Sequence, residues 1–129
     1  MASPREWLAD AEEDAESVRV LISRGIAKHA CFHGQQAAEK GLKALLLHLT
    51  GRIPQSHDLE QLFHAVRKVD SGFPDHLLGL QVAQGYYTLV RYPDARPPGA
   101  PMPSLQEAQS VLALAERLLA DVKQRIPSP

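Results

Sequence analysis

Apolar residues recur along this chain at intervals of three and four, the period of a helix with one buried face, and nowhere do they alternate long enough to suggest a strand. Ser3, Pro4 and Glu6 form a start signal, in which the serine and glutamate satisfy orphan N–H groups and proline removes one. A first helix is therefore predicted over 4–24, ending at Gly25, with Trp7, Leu8, Ala11, Ala15, Val18, Leu21 and Ile22 on its inner face. The second, over 28–49, carries a stripe of Ala38, Leu42, Leu45, Leu46 and Leu49. Beside it runs a row of small residues, Gly34, Ala37, Gly41 and Ala44. Each glycine costs a helix interior roughly 1 kcal/mol relative to alanine, so the row suggests another helix at close range.

A third helix over 57–69 presents Leu59, Leu62, Phe63, Val66 and Val69, with Asp58 in its first turn, where the helix dipole favours a carboxylate. The fourth, over 75–91, presents Leu77, Leu80, Val82, Tyr86, Leu89 and Val90 and cannot continue through Pro93. Five prolines and Gly99 make 93–103 a stiff irregular connector. Ser104 and Glu107 repeat the capping signal and open a fifth helix over 104–126, with Leu105, Ala108, Leu112, Ala115, Leu119, Val122 and Ile126 inward. The pattern predicts an all-α bundle.

At 129 residues the chain fits one domain, 1–129, with one core and no need of metal or disulfide staples. Fourteen Lys and Arg against fifteen Asp and Glu exclude a global basic field, so any polyanion contact must come from a local patch. The single cysteine, Cys31, cannot form an internal disulfide. The longest apolar run, Ala44 to Leu47, is too short for a bilayer, and no basic-then-apolar leader opens the chain. A cytoplasmic protein with no membrane association is expected.

Three groups of residues are candidates for chemistry. Gln36, Glu39, Lys40 and Lys43 share one side of the second helix. They suit either a surface facing a phosphate or a partner, or a solvated face on which Glu39 offsets the lysines. In Arg91-Tyr92-Pro93-Asp94, the arginine can close the helix end through the last carbonyls, Asp94 or Glu39, or grip a phosphate while Tyr92 stacks on a base; Arg96 extends the same positive edge. His29 and His33 have the spacing of zinc ligands, but Cys31 points the other way, so no metal site is expected and no cofactor is implied. His57 and Asp58 read as cap residues of the third helix, and no Ser, His and acid arrangement recommends nucleophilic catalysis.

Phe32, then Gln35-Gln36-Ala37-Ala38-Glu39-Lys40 with Leu42-Lys43-Ala44-Leu45-Leu46, then His57-Asp58-Leu59, and finally Tyr86 with Arg91-Tyr92-Pro93-Asp94 resemble the HEPN family. The resemblance implies an up-and-down four-helix bundle with a short additional helix, commonly a homodimer and often encoded beside a minimal nucleotidyltransferase. Many family members are metal-independent endoribonucleases, some of them toxins, which use an arginine followed four to six residues later by a histidine. Arg91 matches the arginine, but Ala95, Arg96 and Pro97 fill the histidine positions. Arg24 with His29 and Arg52 with His57 meet the spacing only across predicted helix breaks. The resemblance thus implies a nucleotide-binding or nucleotidyltransferase-partner module without catalysis, with a ribonuclease using Arg91 or a purely structural module as alternatives. Single-stranded RNA is a further candidate ligand.

Overall fold

The computed structural model describes residues 1–89, 93–99 and 101–128, with Thr88, Leu89 and Ala95 described through their backbone alone. Arg91 and Tyr92 lie outside the described residues. The elements are α1 (Pro4–Ser23), α2 (Ala27–Thr50), α3 (Leu59–Val69), α4 (Leu77–Gln84), α5 (Tyr86–Leu89), a 3-10 turn (Pro93–Ala95) and α6 (Leu105–Arg125). Among the described residues there is no strand, and no helix is long and apolar enough to cross a membrane.

The helix starts follow from local chemistry. Ser3 and Ser104 each accept a bond from the backbone three residues on, while Glu6 and Glu107 reach back to the cap N–H. Asp58 caps α3 by accepting from Glu60 N and Gln61 N. Gly51 closes α2 in the left-handed conformation, φ 75°, which a glycine adopts without side-chain conflict. The expected fourth helix is divided in two: Gly85 is the C-cap of α4, and α5 begins at Tyr86. The weak helix propensity of glycine accounts for a break there.

α2 is the central helix and packs against α1, α3, α4, α5 and α6. Every residue from Gly41 to Leu47 is buried, so α2 shows no solvated stripe along that stretch. The small-residue row is the seam with α6: a Cβ built on Gly34 would lie 2.2 Å from Val111 Cγ1, and one on Gly41 2.5 Å from Leu119 Cδ2. The inner face of α6 keeps the predicted Ala108, Ala115, Leu119, Val122 and Ile126 and is widened by Val111, Leu114 and Leu118, while Leu105 is exposed. Val69 and Val82, expected inside, are 54% and 57% exposed, and Leu49 lies at the surface. Periodicity finds the apolar side of a helix, whereas the rim positions depend on where its neighbours end.

The two seam glycines should respond differently to alanine. Val111 is β-branched, with its Cβ already 3.3 Å from the new methyl, so it cannot swing clear. Gly34→Ala should lose about 1–2 kcal/mol, overpacking outweighing the gain in helix propensity. At Gly41 the clash is with the far end of Leu119, whose Cγ lies 3.9 Å away, so a rotamer change relieves it and Gly41→Ala should be close to neutral. Urea denaturation of the two variants measures the difference.

Candidate functional site

The polar residues of α2 divide into two groups. Lys40 faces α1, where its ammonium lies 2.6 Å from Asp10 and 2.7 Å from Asp14, and His33 Nδ1 lies 3.1 Å from the other Asp14 oxygen. Burial alone would lower the Lys40 pKa, but the bonds to Asp10 and Asp14 more than reverse this and hold it above the ordinary value. Lys40 is therefore a strut between α1 and α2, and its charge is already answered by two carboxylates.

The second group is buried. Gln35, Glu39 and Lys43 follow one another at intervals of four along α2, and none is more than 6% exposed. Gln36 Nε2 donates to Gln35 Oε1 (2.6 Å), Gln35 Nε2 lies 3.4 Å from Glu39 Oε1, and Lys43 Nζ donates to Glu39 Oε2 (3.0 Å). Neither the solvated face nor an open phosphate-facing stripe describes Glu39 and Lys43; both side chains are 7% exposed and paired with each other. Their charges neutralise one another out of water, which a buried pair requires.

The chain of bonds reaches the surface at His57. Its Nδ1 lies 2.9 Å from Glu39 Oε2, the oxygen that also accepts from Lys43. An ionised carboxylate only accepts, so Nδ1 carries the proton, and in the neutral ring Nε2 holds the lone pair. The His57 side chain is 56% exposed, and its ring stacks on Tyr87 of α5, centroids 5.3 Å apart and planes 17° from parallel. Gln84 at the end of α4 accepts from Leu59 N (2.9 Å), which ties the 51–58 loop to the α4–α5 junction. The free N–H groups at the start of α3 are thus answered by Asp58 and Gln84. His57, in the cap region of α3 as expected, makes no cap bond among the described residues and is also the mouth of the α2 network.

Past α5 the chain leads through Arg91 and Tyr92 to the 3-10 turn, where Arg96 N donates to Pro93 O (3.2 Å) and Asp94 is exposed. Arg96 Nη1 is buried without a hydrogen-bond partner among the described residues. An orphaned guanidinium donor is costly, because this group stays charged and loses water without gaining an acceptor. Elsewhere on α2, Cys31 is buried, and burial first and Glu107 second push its thiol up to about 11, which leaves it inert. His29 is exposed and His33 belongs to Asp14. No group of three or more metal-ligating side chains occurs among the described residues.

Sequence reasoning missed Gln35 and the role of His57. The signal for Gln35 was present as a polar residue four positions before Glu39, within the alanine and leucine background of a buried helix. His57 carried no such signal, because its partner lies 18 residues earlier in the chain.

Three comparisons place the chain among known proteins. The HEPN domain model matches residues 4–125. The chain is 31% identical over 95 residues to "Putative toxin MJ1304" of Methanocaldococcus jannaschii; the match covers 68% of this chain and 62% of that protein. Among solved structures, it superposes on the crystal structure of TT1696 from Thermus thermophilus with a TM-score of 0.86, and on that of ST0689, an archaeal HEPN homologue, with 0.78. Each is 31% identical and involves 98% of this chain and the whole of the other. With its all-α architecture, the α2 motif block and the match over 4–125, the chain belongs to the HEPN family.

Proposed function

We propose that this HEPN domain binds a phosphate-bearing nucleotide or single-stranded RNA at the 3-10 turn, with Arg96 and, from the Arg91-Tyr92-Pro93-Asp94 motif of the sequence, Arg91 and Tyr92 as its contacts. The observation that carries this reading is the buried Nη1 of Arg96, unpartnered among the described residues, a cationic donor for which a phosphate oxygen is a fitting acceptor. Arg91 supplies a second guanidinium, Tyr92 a stacking face, and Asp94 a rim carboxylate suited to sugar hydroxyls. Lys40 and Lys43 bind no phosphate in this reading, since Asp10, Asp14 and Glu39 already answer their charges. In a homodimer, two such edges on one cleft would lengthen the RNA contact.

Fluorescence anisotropy with a labelled single-stranded RNA and with ATP tests the proposal. Arg96→Ala should weaken RNA binding and reduce the slope of log K against log salt by about 0.7, one phosphate contact's worth. No binding at low salt, or equal affinity and slope in Arg91→Ala and Arg96→Ala, would reject it. The second reading is a partner module for a minimal nucleotidyltransferase. It is favoured by the apolar groove along α4 and α6 beside the exposed Leu78 and Val82. Under that reading the partner would co-purify, and nucleotides would leave the melting temperature unmoved.

A further inference from the structure

We draw no further inference here: the strongest candidate, the apolar groove between α4 and α6 beside the exposed Leu78 and Val82, carries nothing beyond the partner reading above, because Arg117 and Asp75 put charges of both signs on its walls and nothing in the structure shows what covers it.

Discussion

Glu39→Leu is expected to destabilise the protein by about 3–5 kcal/mol, because it strands the Lys43 ammonium in a site where it is 7% exposed. Lys43→Met should cost less, since Glu39 retains Gln35 and His57 as donors. The double variant Glu39→Leu/Lys43→Met should recover to within about 1 kcal/mol of wild type, as buried pairs often do when both charges give way to apolar groups of similar volume. Urea denaturation and a double-mutant cycle give these terms.

Phe73→Ala is the second large effect, a loss of about 3–5 kcal/mol and roughly 10 °C or more in Tm. Phe73 lies between α3 and α4, outside any helix, but is 1% exposed. Its ring meets Phe63 at 6.3 Å and His76 at 5.7 Å, and the Arg125 guanidinium lies 5.0 Å from its centroid. Arg125 also donates to Asp70 Oδ2 (2.7 Å), and His76 Nε2 lies 2.6 Å from Asp121. Removing the ring therefore opens a cavity and loosens the join between the α3–α4 connection and the end of α6. Because none of the contacts of Phe73 given above involves Arg96, a destabilised but folded Phe73→Ala should retain RNA affinity below its melting transition. Differential scanning calorimetry with anisotropy at about 10 °C, below that transition, checks both parts.

By itself the sequence determined the helices, their starts and most of the residues that fill the core. Ser3 with Glu6 and Ser104 with Glu107 act on backbone groups three residues away, so nothing distant decides them. The glycine row of α2 announced a close helix for the same reason, since a costly residue in a helix interior needs a spatial cause. Tertiary structure decided which helix fills that space and how far each apolar face extends: on α6 Val111, Leu114 and Leu118 join the predicted residues inside, and Val69 and Val82 are left in water. It also decided the site. Spacing along α2 put Gln36, Glu39, Lys40 and Lys43 on one side, but burial separated Lys40, drawn to Asp10 and Asp14, from Glu39 and Lys43, which neutralise each other inside. The pairing of Glu39 with His57 spans 18 residues and a change of direction at Gly51. Local propensity and periodicity act over a few residues, whereas charge pairing and desolvation act on whatever the folded chain brings within a few ångströms.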